Sequence, residues 1–315
     1  MKKFFAIFVA IILTFSFVAC GGGKKEDNEE NTIKVGMVCI GDENTAYDRN
    51  FYTACEAAKD RLAKKGINVQ WVFTYNHAEG EVVTEDCITL AEDGCQIVIL
   101  NSYGQESAMF NAAEEYPDVL FISLTNEGSR TDGRENTINA FPSVYEGRFL
   151  AGVAAGCKLN ELINNNTITP EQAVMGYVGA FPFAEVISGY TAFYLGAKSV
   201  CPSVTMLVNF VESWGDVGLE SVAANVLVEK GAVLLSQHSD TTSPASVAEN
   251  RGVYHVGYNV SMIDVAKNAS IISRGAADLA YNRIEPELST YMGSVFEDIC
   301  RQYLDLTVRH LAIEE

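Results

Sequence analysis

The chain has 315 residues, 48% of them hydrophobic and 20% charged, an ordinary globular composition. With 41 acidic against 22 basic side chains, its formal net charge is -19. Such a surface is solvated and self-repelling, and it disfavours nucleic acid and anionic lipid as partners.

Lys2 and Lys3 precede an apolar run from Phe4 to Val18, and Phe17-Val-Ala-Cys20 closes it. A basic start, an apolar middle and a small-residue end read as a secretory signal peptide over residues 1–19. The run is shorter than the ~20 residues a spanning helix needs. The cysteine at the cut point resembles that of a bacterial lipoprotein signal, although Phe17 stands where such signals usually carry leucine. The resemblance implies lipid on Cys20, and so a membrane tether facing the periplasm or the cell exterior. Residues 20–32 are glycine followed by charge, which reads as a flexible linker.

Beyond Cys20 the cysteines are Cys39, Cys55, Cys87, Cys95, Cys157, Cys201 and Cys300. No pair has C-x-x-C spacing, so neither a zinc site nor a redox motif is indicated. Several sit inside apolar patterns, as in Val38-Cys39-Ile40, and read as small buried hydrophobes.

From Ile33 the chain alternates strand and helix. Residues 33–40 read as a strand, 47–65 as a helix closed by Gly66, and 68–74 as a strand. A helix over 80–93 closed by Gly94, a strand over 96–100, a helix over 105–115 and a strand over 119–124 follow. The helix over 144–162 is rich in glycine and alanine and can pack closely on a neighbour. The alternation then restarts. Strands are expected over 174–179, 204–211, 233–236, 253–256 and 269–273, with helices over 184–199, 217–230, 243–251 and 294–312. This pattern predicts an α/β protein of two doubly wound parallel-sheet domains. The first spans 33–142 with part of 264–315, and the second 143–263. A ligand cleft is expected between them, beyond the carboxyl ends of the strands.

Polar and aromatic residues follow the expected strands in both halves. The candidates for ligand contact are Asp48, Asn50, Phe51, Ser102, Thr125, Phe181, Trp214, Asp216, Asp240 and Asn259. Facing aromatics can sandwich a flat ring, while carboxylates and amides beside them take its N–H groups or sugar hydroxyls. Each has a plainer reading. Phe51 suits a helix core, Asp48 and Asp240 suit helix caps, and one of Phe181 and Phe183 suits hinge packing. His238 reads more readily as structural.

These residues carry a resemblance. The segment Met175-Gly-Tyr-Val-Gly-Ala-Phe-Pro-Phe-Ala-Glu-Val-Ile-Ser-Gly-Tyr190 resembles the basic membrane protein family, solute-binding lipoproteins of ABC importers that include purine-nucleoside binders. Glu146-Gly-Arg-Phe-Leu150 is similar to the family's hinge-side helix, Glu212-Ser-Trp-Gly-Asp216 to its tryptophan-aspartate loop, and Gln237-His-Ser-Asp240 and Gly257-Tyr-Asn259 to its following ligand loops. The resemblance implies a type I periplasmic-binding-protein fold that closes on a nucleoside or nucleobase and docks on an ABC permease. It implies that Phe51 and Trp214 sandwich the base, and that Asp240 and Asn259 hold its edge or the ribose. Asn259 stands where nucleoside binders commonly carry aspartate, which leaves free base, nucleoside or another flat heterocycle such as riboflavin open. A surface receptor or adhesin on the same fold is the alternative. No G-x-S-x-G, H-E-x-x-H or P-loop occurs, and His77, His238, His255 and His310 lack metal-ligand spacing. The expectation is therefore a binder, with no catalytic, metal or cofactor site.

Overall fold

The computed structural model describes residues 32–126, 128 and 133–271. The expected signal peptide, Cys20 and most of its linker, the helix over 294–312, Cys300 and His310 lie outside the described residues.

The first half opens with β1 (Thr32–Val38), α1 (Ala46–Ala63) and β2 (Asn68–Thr74). It continues with α2 (Thr84–Glu92), β3 (Ile97–Leu100), α3 (Glu106–Glu115), β4 (Leu120–Ser123) and β5 (Thr137–Asn139). The second half holds α4 (Val144–Asn164), β6 (Val174–Gly179), α5 (Ala184–Val200) and β7 (Thr205–Phe210). After these come α6 (Val217–Glu229), β8 (Leu234–His238), α7 (Ser243–Arg251) and β9 (Tyr254–Val256). Each half folds around its own sheet, in the orders β2-β1-β3-β4-β5 and β7-β6-β8-β9. Pairing is parallel, with Met37 opposite Ile99 in the first sheet and Tyr177 opposite Ser236 in the second.

Parallel strands covered on both faces read as apolar runs, and the central strand of the first sheet does. All four residues of β3 are buried. One core lies between β1, β2 and α1, and a second lies on the opposite face against α2 and α3. The second sheet is covered in the same way. Glycines in the left-handed region end several elements, as Gly66, Gly94, Gly231 and Gly252 do.

The small-residue helix packs as its composition predicts. Cβ atoms placed on Gly152 and Gly196 would each lie 2.0 Å from a backbone carbonyl oxygen, of Phe193 and Phe149 respectively. Only glycine lets α4 and α5 approach that closely. Strand β5 was not expected, because three residues are too few to show a period. The strand expected over 269–273 is present as a single bridge between His255 and Ser270, and residues 272–273 lie outside the described residues. Cys39, Cys55, Cys87, Cys95 and Cys201 are buried, and Cys157 is exposed. Burial pushes the Cys87 thiol up to about 12, which keeps it protonated and inert. Among the described residues, no helix is long and apolar enough to cross a membrane.

Candidate functional site

Both sheets place their second strand outside the first, so the order reverses between β1 and β3 and again between β6 and β8. Crevices beyond the carboxyl ends of strands at such switch points are where open parallel sheets take ligands. The two crevices face one another here. From the first half Ile40, Tyr47, Ser102, Tyr103 and Thr125 border a cavity, and from the second Glu185, Trp214, Asp240 and Tyr258. The halves are drawn together around it. Asn50 Nδ2 donates to the carbonyl of Asn259 at 2.9 Å, and the rings of Tyr103 and Phe183 stack at 4.4 Å. The enclosed volume is about 20 Å³, on the order of one water molecule.

Glu79 holds the first wall. Its Oε1 accepts from Ser102 Oγ at 2.6 Å, from the Gly104 N–H at 2.8 Å and from Trp214 Nε1 of the other half at 3.2 Å. Gly104 makes this possible, since a Cβ there would lie 2.7 Å from that of Glu79. Asn101 fixes the switch-point loop. It donates to Asp48 Oδ1 at 2.7 Å and accepts from the Ile40 N–H at 3.0 Å, while the Tyr47 hydroxyl donates to its carbonyl.

The second wall rests on Glu220, which is fully buried and accepts from Ser239 Oγ and Thr241 Oγ1, each at 2.8 Å. That brace shapes the turn carrying Asp240, whose N–H donates to the Trp214 carbonyl at 2.7 Å. Asn259, in the left-handed region at φ 61°, donates from Nδ2 to Asp240 Oδ1 at 2.8 Å. Asparagine tolerates that backbone better than most residues. Below the cavity the Arg148 guanidinium lies 3.9 Å from the centre of the Tyr258 ring. Burial, with Arg148 nearby, holds the His238 imidazole well below its ordinary pKa and so neutral.

The cavity is lined by acids and aromatics and suppresses charge. Burial, and then the neighbouring Glu79 charge, push the Glu185 carboxyl up to about 7. Burial pushes Asp240 up to about 8, helped by the charges of Glu220 and Asp48.

Of the residues singled out from sequence, Ser102, Thr125, Trp214 and Asp240 border the cavity. Asp48 and Asn259 lie outside the lining and hold Asn101 and Asp240 in place, while the exposed Asn50 ties the lobes together at the Asn259 carbonyl. Three take different positions. Phe51 is 8% exposed in the core between α1 and the sheet, with its ring edge-on to Tyr47 at 4.9 Å. Only the first turn of α1 reaches past the strand ends, so Tyr47 meets the cavity and Phe51 lies one turn deeper. The aromatic pair across the cleft is therefore Tyr103 with Phe183, flanked by Trp214. Phe181 stacks on Phe183 at 5.0 Å and meets Trp214 edge-on at 5.3 Å, behind the lining. Asp216 is exposed and caps α6, accepting from the Leu219 N–H at 2.8 Å. Sequence reasoning passed over Tyr47, Glu79 and Glu185. Acids near helix starts read as dipole partners, and nothing in a single sequence shows which of them face a cleft.

Two doubly wound lobes of the same strand order, meeting around a cavity at both switch points, define a solute-binding protein of the type I periplasmic-binding class. A solved ABC transporter solute-binding protein from Conexibacter woesei DSM 14684 agrees in fold, with a TM-score of 0.53 at 20% identity over 84% of this chain and 80% of its own. The family described as ABC transporter substrate-binding protein, PnrA-like (Bmp) matches residues 33–290, and the chain belongs to it. A purine-binding protein of Brucella abortus (strain 2308) is 30% identical over 264 residues, 83% of this chain and 69% of its own length. A Haloferax volcanii protein named as an ABC transporter glucose-binding protein is 32% identical over 246 residues. This chain spans 56% of that relative's length.

Proposed function

We propose that the protein captures a purine, as free base or nucleoside, between its lobes and delivers it to an ABC permease. The observation that carries this reading is the cleft itself, where aromatic rings from both lobes, Tyr47 and Tyr103 from one and Trp214 and Tyr258 from the other, border a space lined by two carboxyl side chains, Glu185 and Asp240. Flat rings suit stacking, and carboxyl groups suit their N–H edges. The 30% identical purine-binding relative favours the same class. Ser102, Thr125, Trp214 and Asp240 are the direct contacts in this reading, and Asp48, Asn50 and Asn259 position them. The lobes are residues 33–142, with part of 264–315, and 143–263. Lipid on Cys20 tethers the protein outside the membrane.

The capture step is a population shift. Contacts such as Asn50 to Asn259 exist only when the lobes are together, and a bound ring adds to them. The test is a thermal-shift screen of the protein against purine nucleosides, free bases, riboflavin, thiamine and sugars. A ligand at about 100 times its dissociation constant adds about 2.7 kcal/mol to stability. A shift with purines alone supports this reading. A shift with glucose alone moves the substrate class to that of the Haloferax relative's name. No shift at all, from protein freed of carried-over ligand, favours a receptor or adhesin.

A further inference from the structure

Glu185 is the group in the cleft whose chemistry has not been used. It lies in the first turn of α5, its side chain is 8% exposed, and it borders the cavity. Its Oε2 is buried without a hydrogen-bond partner. Its Oε1 has His238 Nε2 at 3.9 Å, beyond hydrogen-bond reach. A buried carboxyl oxygen left unpaired is costly, and such atoms call for an explanation in what binds there. Two other carboxyls, Glu79 and Asp240, already have fixed partners. Glu79 takes three donors on one oxygen, and Asp240 takes the Asn259 amide. Among the three acids, Glu185 alone has a buried oxygen without a hydrogen-bond partner. Thr125 Oγ1, on the opposite lobe, is a second buried polar atom in the same wall without one.

We propose that Glu185 is the specificity-determining residue of the cleft and pairs, through both carboxyl oxygens, with a heterocycle edge that sets an N–H donor beside an acceptor. This rests on the purine reading above and sharpens it. The carboxyl lies in a cavity that a second acid, Asp240, also lines, with no cation hydrogen-bonded to it among the described residues. Those surroundings favour the neutral form, as the raised pKa of Glu185 agrees. A neutral carboxyl presents an O–H donor beside a carbonyl acceptor. Its complement among flat rings is a 6-amino or 6-oxo purine edge. A carboxamide presents the same donor and acceptor pair, and glutamine pairs in two-point fashion with the adenine edge.

The test is calorimetric titration of wild type, Glu185→Gln and Glu185→Leu with adenosine, inosine and purine riboside, and with adenine and purine as the free-base arm. Purine riboside keeps the ring nitrogens and the sugar but has no 6-substituent. Wild type is expected to bind adenosine or adenine about 10–100-fold more tightly than the counterpart lacking the 6-amino group, the range of a good two-point contact. Glu185→Gln should stay within about threefold of wild type, because its donor and acceptor are retained. Glu185→Leu should lose the preference for the 6-substituted ligand while binding purine riboside nearly as well as wild type. That non-additivity ties the residue to the edge. A Glu185→Leu protein that keeps the preference overturns the assignment and leaves purine binding intact. Loss of binding in Glu185→Gln shows that an ionised carboxylate reads the edge, and overturns the donor–acceptor pairing. If wild type binds none of the five, the purine reading fails and this inference with it. A melt of each variant separates a folding defect from a lost contact. Should the leucine variant not fold, the glutamine variant and the two ligand pairs still decide.

Discussion

The indole N–H of Trp214 donates to Glu79 Oε1 at 3.2 Å, across the cleft and between residues 135 apart in the chain. The same oxygen is held by Ser102 and Gly104 of its own lobe, so the acceptor is in place before the lobes meet. This bond exists only in the closed form. Hydrogen bonds to charged groups contribute about 1.5–3 kcal/mol when formed away from water. Trp214→Phe keeps a ring and removes the donor, and it should shift the lobes toward the open form. Trp214→Ala removes the ring as well and should weaken ligand binding by about 2–3 kcal/mol, in line with large aromatic anchors. Small-angle scattering of the free proteins reads the first effect, and calorimetry the second. An unchanged affinity in Trp214→Ala would take that ring out of the ligand's path.

Asp240 and Glu185 give the fold a pH dependence whose sign is set by which form is favoured. Their folded pKa values, about 8 and about 7, lie above the unfolded values. The folded state therefore holds protons that the unfolded state has lost, and stability falls as pH rises toward those values. His238 and His255 are buried neutral and act oppositely, but their contribution is complete once pH exceeds the unfolded histidine value near 6.5. The opposing slopes cancel below about pH 6.5, so the melting temperature should hold roughly level up to there and decline to about pH 8, with a slope of at most about 1.4 kcal/mol per pH unit for each group. Asp240→Asn should flatten the upper part of that decline. An identical slope in the variant would place the effect in the general negative charge of the surface.

Asp216 and Asp240 look alike in sequence, each following a strand and preceding a helix, and the structure separates them. Asp216 Oδ1 caps α6 and is exposed, away from the cavity. Asp216→Ala should cost about 0.5–2 kcal/mol of stability, the range for a lost cap, and leave ligand affinity unchanged. Denaturant unfolding and calorimetry on one preparation check both halves. A loss of affinity without a loss of stability would return Asp216 to the binding surface.

The alternation of elements was legible because each signal is local. Parallel strands buried on both faces read as apolar runs, and glycines mark where helices stop. The same locality explains the failures. Three residues of β5 cannot show a period, and they pair only because β4 lies beside them. At the cavity, Ser102, Thr125, Trp214 and Asp240 were legible since a strand delivers each to the cleft. Phe51 and Tyr47 lie four apart on one face of α1, and only the height of the sheet edge decides which ring meets the cavity. Glu79 and Glu185 owe their places to the meeting of two lobes far apart in sequence. The lobe contact is a tertiary fact that no pattern of one residue type encodes.

The glycines of α4 separate packing from propensity within one helix. Gly152 faces α5, where an added Cβ would sit 2.0 Å from the Phe193 carbonyl oxygen, and backbone cannot move aside as a side chain can. Gly147, a turn and a half earlier, has nothing within 4 Å of the same added atom. In a helix interior alanine is favoured over glycine by about 0.8–1 kcal/mol. Gly147→Ala should therefore stabilise the protein by roughly that amount. Gly152→Ala carries the same propensity gain but must push the two helices apart, at a cost of about 1–3 kcal/mol or more for an overpacked contact. The two variants should move in opposite directions in denaturant unfolding, with equal slopes. If Gly152→Ala were as stable as Gly147→Ala, the close approach of α4 and α5 would not be what holds that glycine in place.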